Sequence, residues 1–149
     1  MAVFAEQLRV LGTSLRGGKP RDEVLKSAAL EPYAGKRARF GEPILFDLGQ
    51  RGIRSIERVG SSYLIVAGPT ADRGSFALYR WSGRRGDAPN PVTGIDLKNL
   101  RPEALFAIPD SNRVQLLSDD GGIVIGGIEC KSLPGTSQTF RSLSITIRE

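Results

Sequence analysis

The apolar residues of this chain come in short bursts, each of strand length and each closed off by Gly, Pro, Ser or Asp. They run Leu8–Leu15, Ile44–Leu48, Ile53–Val59, Tyr63–Ala67, Phe76–Trp81, Val92–Leu97, Glu103–Ile108, Val114–Ser118, Ile123–Ile125 and Leu143–Ile147. Several are rich in β-branched and aromatic residues, which suit a pleated, half-buried surface. The run from Tyr63 to Ala67 is apolar at every position, as a strand covered on both faces is. Leu143, Ile145 and Ile147 alternate with Ser144, Thr146 and Arg148, as an outer strand with one wet face does. The pattern predicts an all-β fold. Only Arg21–Leu30 departs from it, with acidic residues early and Val24, Leu25, Ala28 and Ala29 at helical spacing. Its place between strand-like runs lets the sheet override local propensity, so a strand is predicted there as well.

The strand pattern repeats. Ile53-Arg54-Ser55-Ile56 leads through Val59-Gly60-Ser61-Ser62 into Tyr63–Pro69, and Pro102-Glu103-Ala104-Leu105 leads through Pro109-Asp110-Ser111-Asn112 into Arg113–Asp119, 49 residues later. A weaker echo, Leu8–Gly17, matches the second-strand half alone. A period of about 40–50 residues built of short strands is the signature of β-propeller blades. The alternative is a β-sandwich whose hairpins resemble one another by chance. The period divides the chain into three four-stranded units, approximately 1–50, 51–99 and 100–149, within a single domain. Propellers carry about four to eight blades. The expectation is therefore a partial propeller, completed by missing amino-terminal blades or by a second copy, because an open arc leaves sheet faces and edges unpartnered.

Composition narrows the chemistry. The 149 residues contain no His, which removes Ser–His–Asp and Cys–His catalysis and every His-ligated metal site. The single cysteine, Cys130, cannot form an internal disulfide, which fits a reducing, cytoplasmic setting. No apolar run reaches the roughly 18 residues of a membrane-spanning helix, and MAVFAEQLRV lacks the layout of a secretory signal. No membrane partner is expected. Lys and Arg exceed Asp and Glu by 5, but the basic residues are dispersed and no stacking aromatics are interleaved with them. Solvated loop charges are the better reading, so nucleic acid is not an expected partner.

In order along the chain, Asp47–Arg54, Leu64–Pro69, Phe76–Trp81, Leu100–Leu105, Leu116–Gly121, Cys130–Pro134 and Phe140–Ser142 resemble the run of motifs in the bacterial domain-of-unknown-function family 3616. The set spans about Leu8 to Ile147. The resemblance implies a β-propeller, similar in appearance to phytase-like and strictosidine-synthase-like propellers. Since that family has no established activity, it implies architecture and no reaction.

Candidate sites follow from the repeat. The innermost strand of a blade lines the channel, so charged residues at its start face water or an axial ligand. The alignment makes Arg54 equivalent to Glu103, and Gly52 equivalent to Arg101. The propellers that the family resembles place acidic ligands for Ca²⁺ or Mg²⁺ at such positions, which Glu103 matches. The competing and favoured expectation is an ion pair of Glu103 with Arg54 or Arg101. Asp119, beside Asp120-Gly121-Gly122, is a further cation-ligand candidate, with an Asx turn as the simpler reading. Gly17-Gly18-Lys19-Pro20 lacks the phosphate-loop spacing, and Gly126-Gly127 reads as a turn. Cys130, between Glu129 and Lys131, is expected to be an inert thiol, and Tyr79 and Trp81 to pack between blades. The function expected is a non-catalytic module that binds a ligand or protein partner through Arg54, Arg101, Glu103 and Asp119, with no required cofactor. The alternative is a divalent-metal-assisted hydrolase of phosphoester, ester or lactone type, completed by further blades.

Overall fold

A computed structural model describes residues 23–25, 43–71 and 74–147. The fold is all-β. Eleven strands are described: β1 (Glu23–Leu25), β2 (Ile44–Phe46), β3 (Arg51–Val59), β4 (Ser62–Pro69), β5 (Ala77–Trp81), β6 (Asn90–Pro91), β7 (Pro102–Ala107), β8 (Arg113–Ser118), β9 (Val124–Ile125), β10 (Ile128–Glu129) and β11 (Ser142–Thr146). They form a β1–β2 ribbon, a first sheet ordered β3-β4-β5-β6, a second sheet ordered β11-β8-β7, and a β9–β10 hairpin. All pairings are antiparallel.

The layers stack, and the alternation of side chains along β4 decides how. Ile65 and Ala67 point one way and join Tyr79, Trp81, Ile53, Phe46 and Leu48 in one core. Leu64 and Val66 point the other way and join Leu78, Leu105, Val114, Leu116 and Ile147 in a second core. Both faces of β4 are therefore dry, as its unbroken apolar sequence predicts. Tyr79 and Trp81 pack between layers. The Trp81 ring meets Phe46 edge-on with centroids 4.9 Å apart, and the Tyr79 hydroxyl donates to the Leu48 carbonyl at 2.9 Å. These partners spare the two aromatic polar atoms an unsatisfied burial, since the Trp81 indole donates to the Asp87 carbonyl at 3.1 Å.

Three of the residues predicted as a strand in Arg21–Leu30 are described, and they form β1, paired with β2 from Glu23↔Phe46 to Leu25↔Ile44. Pairing overrides helical propensity there. The Leu8–Leu15 strand and the Gly17–Pro20 segment lie outside the described residues. The strand predicted at Val92–Leu97 is not formed. Pairing with β5 stops at Asn90–Pro91, one further bond runs from the Val92 N–H to the Leu78 carbonyl, and Gly94 turns the chain away with φ at 79°. Val92, Ile95 and Leu97 are apolar because they plug the second core from a loop. The four-strand expectation holds for the first sheet. In the second sheet three strands are described, with the β9–β10 hairpin set between β8 and β11.

Candidate functional site

Two irregularities, one in each sheet, build the site. Ile53 pairs with Ala67 and Ser55 with Val66, so Arg54 is an extra residue bulged out of β3. Pro102 pairs with Ser118 and Ala104 with Leu117, so Glu103 is an extra residue bulged out of β7. These are the two positions the repeat makes equivalent. A bulge reverses the alternation of side chains, which lets Ile53 and Ile56, three residues apart, enter the same core. It also turns the extra side chain out of the sheet.

The bulged side chains meet. Arg54 Nη1 lies 3.4 Å from Glu103 Oε1, with the two side chains 34% and 47% exposed. The Arg54 guanidinium also donates through Nη2 to the Pro69 carbonyl at the end of β4. One residue earlier on that strand, Gly68 leaves room for the Arg54 stem. A Cβ at Gly68 would stand 3.0 Å from Arg54 Cγ and 2.5 Å from the Phe76 ring. Beside the pair, the Leu105 N–H donates to Ser55 Oγ at 3.1 Å, which joins β7 to β3 across 50 residues of sequence. The ion pair favoured by the sequence reading is thus the one formed, and Arg54 rather than Arg101 is the partner.

Arg101 is held by its backbone. Its N–H donates to Ser118 Oγ at 2.9 Å and its carbonyl accepts from the Asp119 N–H at 2.8 Å, while its side chain reaches toward Gly122. Asp119 makes the Asx turn, with Oδ1 accepting the Gly121 N–H at 3.0 Å. Gly121 and Gly122 do not adopt the left-handed conformation; Gly126 and Gly127 do, at φ 59° and 87°, and they form the β9–β10 turn.

Asp120, adjacent to Asp119 in the candidate pair of carboxylates, has a partner that the sequence reading did not find, Arg141. Asp120 is buried, and one oxygen accepts from Ser118 Oγ at 2.7 Å and from Arg141 Nη2 at 2.7 Å. The other accepts from the Arg141 backbone N–H and Nε, both at 2.8 Å. The Arg141 hydrogen bonds hold the Asp120 carboxyl well below the usual carboxylate range, and the same contact raises Arg141. This fork closes the neck of the 119–141 excursion. Its signal in sequence is faint, because the partners stand 21 residues apart. Cys130 is buried inside the excursion, its sulfur 3.3 Å from the Thr139 carbonyl oxygen, and Lys131 is paired to Glu129 at 3.0 Å. The thiol is thus sheltered, and the cation beside it is engaged by Glu129.

Among the described residues no three His, Cys, Asp or Glu side chains gather into a group able to hold a metal ion. No family model, no curated protein and no solved structure matches this chain.

Proposed function

We propose that this chain is a propeller-type module without catalysis of its own, which binds a ligand or a protein partner at the ledge formed by the starts of β3 and β7. The observation that carries the reading is the matched pair of bulges, which aims Arg54 and Glu103 at one another from equivalent positions of two stacked sheets. Bulges re-aim side chains and recur beside sites. Two successive antiparallel sheets, each with the first strand of its repeat at one edge, support a blade arrangement in which β3 and β7 are the innermost strands. The resemblance to family 3616 points the same way.

The ledge offers a cation and an anion that are already paired but half exposed. Such a pair is worth about 0–1 kcal/mol, so a ligand with its own carboxylate or ammonium group displaces it at little cost. Arg101, two residues before Glu103, has its guanidinium beside Gly122. The hydrolase alternative asks Glu103 and Asp119 to be hard oxygen ligands. Arg54 engages the first and the Gly121 N–H engages the second, so the binding reading is preferred.

Thermal melts of the full chain against small carboxylates, amino acids, inorganic phosphate and calcium chloride test this. A carboxylate or amino acid should raise the midpoint by linkage. Arg54→Ala should abolish the shift, Glu103→Gln should abolish it for an amino acid and keep it for a simple carboxylate, Arg58→Ala should retain both, and calcium should give none. If no compound shifts the midpoint, or if the shift survives both ledge variants, the proposal fails.

A further inference from the structure

The two repeats differ most in one connection. In the first sheet β4 reaches β5 through residues 70–76, whereas in the second β8 reaches β11 through the excursion 119–141. Ser118, where the excursion leaves β8, pairs with Pro102 at the start of β7. The excursion is therefore an added element at the ledge end of the second sheet.

Its shape is fixed by hydrogen bonds. The β9–β10 ladder continues toward the root, where the Cys130 N–H donates to the Ile123 carbonyl at 2.8 Å and the Lys131 N–H to the Gly121 carbonyl at 3.0 Å. Residues 121–125, at about 3.3 Å each, carry the tip roughly 16 Å from that root. The Asp120–Arg141 fork fastens the two ends, and the Gln138 amide donates to the Lys131 and Leu133 carbonyls at 3.2 and 2.9 Å. An element ordered in advance has less conformational entropy to lose on binding.

The tip so held is apolar. Val124, Ile125 and Ile128 are 62%, 43% and 50% exposed, half of the six large hydrophobic residues exposed among the described residues. Ile125 pairs with Ile128, and Val124 with Glu129. The bond between Cys130 and Ile123 makes theirs a bonded pair, so at the next pair Val124 turns its N–H and C=O away from β10. Among the described residues no strand pairs with that outer edge of β9. Arg101 stands at its foot. Nη1 would lie 3.4 Å from a Cβ at Gly122, and among the described residues no carboxylate pairs with the guanidinium.

We propose that the excursion is a docking arm for an acidic protein segment, which lies extended along β9 as a third strand of the ribbon. Main-chain bonds to the open edge supply affinity, and alternate side chains of the added strand cover Val124 on one face and Ile125 and Ile128 on the other. An acidic side chain at Arg101 sets the register. Charge favours this occupant over a second copy, since the chain carries a net charge of +5 and repels its like. Two-fold pairing of copies about Val124 would also bring the glycine turn, and no carboxylate, to Arg101. The arm goes beyond the ledge, whose charge pair it does not use.

The full chain, passed over an array of capped eight-residue peptides graded in charge and in Val, Ile and Leu content, tests this. Captured peptides should combine Asp or Glu with alternating aliphatic residues, and basic versions of them should bind at least about tenfold more weakly. Val124→Lys and Ile125→Ser/Ile128→Ser should lose binding with the melting midpoint unchanged, and Arg101→Glu should reverse the charge preference. Arg54→Ala should bind as wild type does, so the fate of the ledge is read separately. Capture of no peptide, preference for basic or wholly polar peptides, or binding that survives the arm variants overturns the proposal. So does self-association in sedimentation that Ile125→Ser/Ile128→Ser abolishes, because a second copy is then the occupant.

Discussion

At the residue scale the firmest feature is Asp120. It has four hydrogen-bond donors around one buried carboxylate, three of them from Arg141. Asp120→Asn keeps the shape but loses the charge, and hydrogen bonds to charged groups are worth about 1.5–3 kcal/mol. A drop in melting temperature is expected, with the 119–141 excursion loosening first. The sign of the pH dependence follows from the lowered folded-state value. The unfolded carboxyl titrates near about 3.9, so Asp120 stabilises fully above that pH. Its contribution is lost as pH falls through it toward the lower folded-state value. Melts from neutral pH down into strong acid should show a decline in wild type that is shallower in Asp120→Asn. Equal acid sensitivity in the two proteins would remove Asp120 from the account. Gly68 makes the second residue-level prediction. Gly68→Ala forces a Cβ against Arg54 and the Phe76 ring, and overpacking of this kind costs about 1–3 kcal/mol. Calorimetry should find the loss. Glu103→Ala, which leaves the overlap in place, should not rescue it.

At the element scale the strand pattern was legible wherever burial follows the period of the strand. The unbroken apolar run of β4 corresponds to two dry faces, and Leu143 and Ile145 of β11 pack inward while Ser142 and Thr146 stay exposed. Leu64→Ala, at a side chain enclosed between sheets, should cost about 2–5 kcal/mol. Phe106→Ala, at a side chain 44% exposed, should cost about 1 kcal/mol or less. Denaturant midpoints with unchanged slopes would show both. Legibility failed where an apolar residue serves packing without pairing, as at Val92, Ile95 and Leu97, which lie beyond a two-residue strand ending in Pro91. Hydrophobicity reports burial, and only a paired neighbour makes burial a strand. The bulges left a readable trace in the three-residue spacing of Ile53 and Ile56, which breaks a strand period of two. The Asp120–Arg141 fork left almost none. Edge strands β3 and β7 carry their own protection, since charge at Arg54, Arg58 and Glu103, a bulge in each and Pro102 all discourage pairing with another chain.

At the scale of the whole molecule, the ribbon and two sheets stack in sequence order around two cores, and the starts of β3 and β7 meet along one line. The repeat in the sequence is therefore a repeat of layers, and its most distinctive position is a charged bulge. The central claim is that this line is where a ligand or partner sits. Amide chemical shifts of isotope-labelled full chain, followed while a thermally stabilising carboxylate or amino acid is titrated in, test it most directly. Saturable shifts are expected, concentrated at Arg51–Ser55, at Arg101, Glu103 and Ala104, and at Gly68 and Thr70 on either side of Pro69, with the β9–β10 hairpin unmoved. Shifts concentrated instead on that hairpin, on the 82–88 loop or on β11 would contradict the central claim.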